Sequence, residues 1–255
     1  MAWFEHGTSR IYYEERGAGD PVLLLPGWSQ SAEELAALRA AMAASYRVIA
    51  ADLPGSGRSQ PQPRAYAATY YEDDAASFAA LLRQLGVGPA HLVGFSDGGE
   101  VALLMAALTS VAARSVVTWG AAGKLSDPDG HLRQGMYHLV DHPIPPMQGF
   151  RDHLVAIYGE ANARAMSQSL VGAMSAILES ASGGELALAQ AENIVCPVLL
   201  ITGEQDFFAP PTLVAQSAVR IRGAETLVAE GAGHDVQNSR PDWLRQTILD
   251  WLRRH

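Results

Sequence analysis

The chain has 255 residues, enough for one large α/β domain with an insertion or for two small domains. Hydrophobic residues make up 48% and charged residues 18%, an ordinary globular balance that excludes a disordered or fibrous chain. The net charge of −9 disfavours nucleic acid and anionic membranes as partners, and the single Cys196 excludes a disulfide framework and a cysteine-based zinc site.

The first residues, Met1-Ala2-Trp3-Phe4-Glu5-His6, have neither a basic region nor an apolar run, so no signal peptide is expected. Ile11-Tyr12-Tyr13-Glu14 reads as an early strand, and Pro21 to Leu25 as an apolar strand buried on both faces. Ser31 to Ala44 reads as a helix, with Ser31 and Glu34 in capping-box spacing. The alternation continues with a strand at Tyr46 to Ala51, a helix at Tyr70 to Leu85, a strand at His91 to Gly94, a helix at Asp97 to Leu108 and a strand at Ser115 to Trp119. It is lost from Ala121 to Ala191, where Pro143, Pro145 and Pro146 interrupt any long element. It returns with a strand at Pro197 to Thr202, a helix at Pro211 to Arg220, a strand at Glu225 to Ala229 and an amphipathic helix at Pro241 to Arg253. The pattern predicts a mostly parallel, doubly wound sheet, with residues 1–120 and 192–255 as the core and 121–191 as a helical cap between its halves. The longest apolar run, Val101 to Leu108, is far short of the roughly 20 residues of a spanning helix, so a soluble, cytoplasmic protein is expected.

Three strand ends carry the chemistry. Gly94-Phe95-Ser96-Asp97-Gly98-Gly99 follows an apolar strand and opens a helix, the setting in which G-x-S-x-G forms a nucleophile elbow. Gly203-Glu204-Gln205-Asp206 and Gly231-Ala232-Gly233-His234 each follow a later strand. The order Ser96, Asp206, His234 is that of a triad in which histidine takes the serine proton and aspartate holds the imidazole. Asp127 is the competing acid, but it stands eight residues past its strand where Asp206 stands four past its own. The oxyanion formed on attack needs two backbone donors, expected to be the N–H groups of Asp97 and of Trp28 in Leu25-Pro26-Gly27-Trp28. A carboxylate at Asp97 would oppose that oxyanion unless a cation intervenes, and a substrate ammonium would serve; helix capping or an arginine partner is the plainer role.

These motifs, with Asp52-Leu53-Pro54-Gly55-Ser56-Gly57-Arg58-Ser59, resemble the α/β-hydrolase superfamily over nearly the whole chain. The G-x-S-D-G-G elbow, Trp119-Gly120-Ala121, and the acid loop from Gly203 to Pro210 are most similar to the valacyclovir hydrolase (biphenyl hydrolase-like) family. That resemblance implies a serine hydrolase of small esters, acting on α-amino-acid esters through Asp97, with no metal or other cofactor. The insert and Trp28-Ser29-Gln30 do not match that family. Hydrolysis of carbon–carbon bonds or lactones, perhydrolysis, or ligand reception without catalysis are the alternatives on the same fold.

Other groups read more plainly. His131, His138, Asp141 and His142 lack metal-ligand spacing on a firm helix and are expected to be polar lid residues. Pro54-Gly55-Ser56-Gly57 has no following Gly-Lys-Ser/Thr and is not a phosphate loop. Met166, Leu170, Met174 and Ile177 recur at helical spacing as the inner face of a lid helix, and secondarily as an acyl-pocket wall.

Overall fold

Apolar runs too short for helices become the centre of an eight-stranded sheet in the computed structural model, which describes residues 2–109 and 113–255. Met1, at the head of the N-terminal segment read above, lies outside these residues. The chain opens with strand β1 (Ala2–His6), hairpinned to β2 (Ser9–Arg16) through a turn in which Gly7 has φ 57°. Then follow β3 (Asp20–Leu25), helix α1 (Ala36–Ala43), β4 (Tyr46–Ala51), α2 (Tyr70–Gln84), β5 (Ala90–Phe95), α3 (Asp97–Leu108) and β6 (Ala113–Trp119). Helices α4 (His131–Tyr137), α5 (Gln148–Tyr158) and α6 (Glu160–Leu178) lie between β6 and β7 (Val198–Gly203). The chain closes with α7 (Pro211–Arg220), β8 (Glu225–Ala229), α8 (Val236–Ser239) and α9 (Pro241–Arg254).

The strand order is β1-β2-β4-β3-β5-β6-β7-β8, parallel except for the β1–β2 and β2–β4 pairs. Strand periodicity of two divides the core. Leu23, Leu25, Ile49, Leu92 and Val116 face the layer that holds α2 and α3, while Val22, Leu24, Val48, Val93 and Val117 face α1 and α9. Because β4 and β5 flank β3 on opposite sides, the strand order reverses at β3 and opens a crevice beyond the carboxyl ends of β3 and β5. The loop carrying Trp28 and the turn carrying Ser96 stand there.

Two readings needed correction. The early strand is preceded by β1, which the sequence did not announce. The helix expected from Ser31 begins as a 3-10 turn at Ala32–Leu35 before α1, although Glu34 accepts the Ser31 N–H at 2.9 Å as the spacing implied.

Candidate active site

Ser96 sits at the junction of β5 and α3 with φ 50° and ψ −121°, a conformation costly for a residue with a Cβ and held by its surroundings. A Cβ on Gly94 would lie 2.2 Å from the Gly98 carbonyl oxygen, and one on Gly98 would lie 2.3 Å from that of Pro26. The turn therefore requires glycine at positions 94 and 98, two residues before and after the serine.

The other two strand ends pack backbone to backbone. A Cβ on Gly203 would lie 2.0 Å from the Gly233 carbonyl oxygen, and the Gln205 N–H donates to the Ala232 carbonyl at 2.8 Å. This contact presents the buried Asp206 carboxylate to His234, with Oδ1 and Oδ2 at 3.0 and 2.9 Å from Nδ1. Oδ1 also accepts the N–H groups of Phe208 and Ala209 at 2.8 and 3.0 Å, which fixes the carboxylate. The far ring nitrogen, Nε2, stands 3.0 Å from Ser96 Oγ. Phe95 and Phe208 flank the imidazole, with ring centroids 5.0 and 4.6 Å away, and Gly120 leaves it room, since a Cβ there would come within 2.7 Å of Cε1.

Asp127 is occupied elsewhere. It accepts the Leu132 and Arg133 N–H groups and pairs with the Arg133 guanidinium at 2.9 Å, contacts that outweigh its burial and hold its carboxyl below the usual range.

The loop after β3 is braced by the Asp52 to Ser59 motif. Asp52 accepts the Ala32 and Arg58 N–H groups at 2.6 and 2.8 Å, and Ser56 Oγ accepts the Ser29 N–H at 3.0 Å. Trp28 donates its indole N–H to Tyr66 Oη at 2.8 Å and meets Phe150 edge-on at 5.9 Å, so its side chain packs beneath the insert. Among the described residues the backbone N–H groups of Trp28 and Asp97 are not engaged by another group.

Among the described residues Asp97 neither caps α3 nor pairs with an arginine. Its carboxylate accepts the hydroxyl of Tyr71 at 2.8 Å and, more weakly, that of Tyr70 at 3.4 Å, and it faces the cavity above Ser96. Burial pushes its pKa up to about 6 against the pull of the two tyrosines. The nearby Arg64 is held by Asp74 at 2.7 Å.

The sequence profile of the alpha/beta hydrolase family matches residues 22–247, which takes in every strand end described. The chain belongs to the alpha/beta hydrolase family. Human serine hydrolase BPHL is 29% identical over 208 residues, covering 79% of this chain and 68% of its own. The magnesium-chelatase 30 kDa subunit of Rhodobacter capsulatus is 31% identical, covering 92% of this chain and 87% of its own. The solved enol-lactonase from Burkholderia xenovorans shares the fold, with TM-score 0.77 and 21% identity over 99% of this chain and 100% of that one.

In this hydrolase the residues converge on a cavity of about 880 Å³. Ser96, His234 and Asp97 form part of its floor, and Met136, Met147, Phe150, Leu170 and Met174 of the insert line it. Met166 and Ile177 are buried on the same helix as Leu170 and Met174, so that face of α6 serves as insert core and cavity wall at once. Among the described residues the insert's histidines gather no metal-ligand set. Asp141 is bound by Arg164 at 2.6 Å, and His138 and His142 have ring centroids 6.2 Å apart.

Two features of the site were not read from the sequence. Tyr70 and Tyr71 reach Asp97 from α2, some 26 positions away, and only the fold reveals this. Glu100, one helical turn past Asp97, is buried at the cavity's edge. Its Oε1 accepts the Ala122 and Gly123 N–H groups at 2.8 and 3.1 Å, its Oε2 has no partner among the described residues, and burial pushes its pKa up to about 7. A second acid, after Asp97, in the first turn of an otherwise apolar helix was the available signal.

Proposed function

We propose that this chain is a serine hydrolase of small carboxylic esters, and that Asp97 directs it to esters of α-amino acids. The supporting observation is the unbroken chain of contacts from Asp206 through His234 to Ser96 Oγ, at 2.9 and 3.0 Å. In this reading Ser96 Oγ attacks the ester carbonyl while His234 Nε2 takes its proton. Asp206 keeps the Nδ1–H tautomer and stabilises the imidazolium. The N–H groups of Trp28 and Asp97 receive the oxyanion, helped by the N-terminus of α3. His234 then protonates the departing alkoxide, leaving an acyl-enzyme, and the same steps run with water to release the acid. The ammonium of an amino-acid ester would sit at the Asp97 carboxylate, which has no arginine or lysine partner among the described residues. A cytoplasmic setting accords with a free, buried Cys196.

A fluorophosphonate probe followed by a screen of p-nitrophenyl and amino-acid esters tests the reading. Labelling confined to Ser96, turnover of esters, and loss of both in Ser96→Ala are expected. Turnover by a folded Ser96→Ala would reject Ser96 as the nucleophile, and a wild type that is neither labelled nor active would favour a ligand-binding protein on the same fold.

A further inference from the structure

The loop that carries the Trp28 N–H is held in an unfavourable shape. Ser29 has φ 64°, in the region that favours glycine, and is almost completely buried, within a turn closed by the Gln30 N–H to the Gly27 carbonyl at 3.2 Å. Such a conformation persists only when neighbours over-determine it. From the core side, Ser56 Oγ accepts the Ser29 N–H. The insert grips it from the opposite side. Tyr158, at the end of α5, donates its hydroxyl to the Ser29 carbonyl at 2.7 Å and accepts the Gly57 N–H at 2.7 Å, a span of 129 positions in sequence. Phe150 of the same helix packs on the Trp28 ring, and Ser169 of α6 accepts the N–H of Tyr66, the residue that holds the Trp28 indole. Burial pushes the Tyr158 phenol up to about 12, so it stays a neutral donor throughout the working range.

We propose that Tyr158 is a positioning residue for the oxyanion loop: its hydroxyl fixes the Ser29 peptide and thereby aims the Trp28 N–H at the oxyanion formed beside Ser96. The insert is then part of the catalytic apparatus and not only a roof over the cavity. This rests on the serine-hydrolase reading above, with Trp28 as donor. Phenylalanine at 158 keeps the ring in place and removes only the hydroxyl, which leaves the Ser29 carbonyl free to turn. Loss of an oxyanion donor costs about 10²–10³ in kcat, and loosening one costs less, on the order of ten- to hundredfold.

The test compares wild type with Tyr158→Phe on short and long acyl esters and on a trifluoromethyl ketone. Ser96 Oγ adds to the ketone carbon, His234 takes the serine proton, and the former carbonyl oxygen becomes an oxyanion, so the inhibitor's affinity reports the oxyanion site directly. The expected result is a kcat about ten- to hundredfold lower on every ester, KM changed by less than about twofold, and ketone affinity lowered by the same factor as kcat/KM. A merely structural tyrosine would lower the melting temperature and leave ketone affinity of the folded enzyme intact. Unchanged kcat and ketone affinity, or a loss that depends on acyl length, would overturn the inference. If Tyr158→Phe does not fold, Ser56→Ala, which frees Ser29 from the other side, must show the same split between kcat and KM. A wild type that neither turns over esters nor binds the ketone sinks the hydrolase reading itself; an active wild type with a wild-type-like variant sinks only the role of Tyr158.

Discussion

Asp97→Asn separates an amino-ester hydrolase from a general esterase. Asparagine is nearly isosteric and its Oδ1 can still accept the Tyr71 hydroxyl that now donates at 2.8 Å, so the substitution removes the charge and little else. A charge-assisted bond to an ammonium in this partly closed cavity is worth about 1.5–3 kcal/mol, hence a roughly ten- to hundredfold fall in kcat/KM on an α-amino ester. The des-amino ester should be unaffected or faster. The assay is the ratio of kcat/KM for an amino ester to that for its des-amino analogue, in which effects common to both esters cancel. The wild-type ratio should also titrate. With the Asp97 pKa raised to about 6 by burial, only above that pH is the carboxylate ionised and able to pair, so the preference rises as pH rises through about 6. It falls again above about pH 8, where an α-ammonium loses its proton. In Asp97→Asn the acidic limb should vanish. A wild-type preference for the neutral ester, or equal losses on both esters, refutes the ammonium role.

Two further outcomes follow from buried groups. Glu100 has a folded pKa of about 7 against an unfolded value near 4.5, so between those pH values the folded protein binds the extra proton and stability falls as pH rises, by on the order of 3 kcal/mol in all. Glu100→Gln keeps an oxygen for the Ala122 and Gly123 N–H groups, and it should raise the melting temperature at pH 8 and flatten that decline; a variant less stable than wild type at pH 8 would contradict it. Met174→Ala shortens a side chain that lines the cavity from α6, and each extra acyl methylene it admits is worth about 0.8 kcal/mol, or roughly fourfold. Relative kcat/KM for hexanoyl over acetyl esters should therefore rise several-fold, and an unchanged chain-length profile would show that this wall does not set acyl preference.

The elements that position the site were legible because they are repetitive. Tyr46–Ala51, Asp97–Leu108, Pro211–Arg220 and Glu225–Ala229 have the bounds that period and punctuation predicted, and Ser96, Asp206 and His234 stand where their strands end. Proximity along the chain also separated the two candidate acids, since a four-residue excursion keeps Asp206 at the sheet edge while Asp127 is free to serve α4. What escaped was weakly patterned or distant. Within β1 only Phe4 is buried, so Ala2–His6 carries no alternation to read. The helix at 31–44 has good cap chemistry but opens in a 3-10 turn, a distinction of hydrogen-bond geometry that residue type hardly records. Tyr71 to Asp97 and Tyr158 to Ser29 are tertiary contacts without local signature, so only the fold reveals them.

Residue 97 has two opposed duties in the proposed mechanism, and their opposition is itself a source of selectivity. Its N–H is to stabilise an oxyanion, while its carboxylate, one side chain away, repels the same charge. Two like charges about 4 Å apart at an effective dielectric near 20 repel by about 4 kcal/mol, and the repulsion falls in inverse proportion to their separation. For a neutral ester that repulsion grows as the oxyanion forms and raises the barrier. The hydroxyl donated by Tyr71 reduces it only in part, since a neutral donor spreads the negative charge without cancelling it. An ammonium ester brings the missing cation, which pairs with the carboxylate in the bound state and removes the penalty in the transition state. Preference for amino esters is then expressed in kcat as well as in KM, because part of the benefit appears only as the oxyanion develops. A plain ammonium-binding carboxylate remote from Ser96 would act on KM alone. Placing it on the residue after the nucleophile converts the same ionic contact into discrimination at the chemical step.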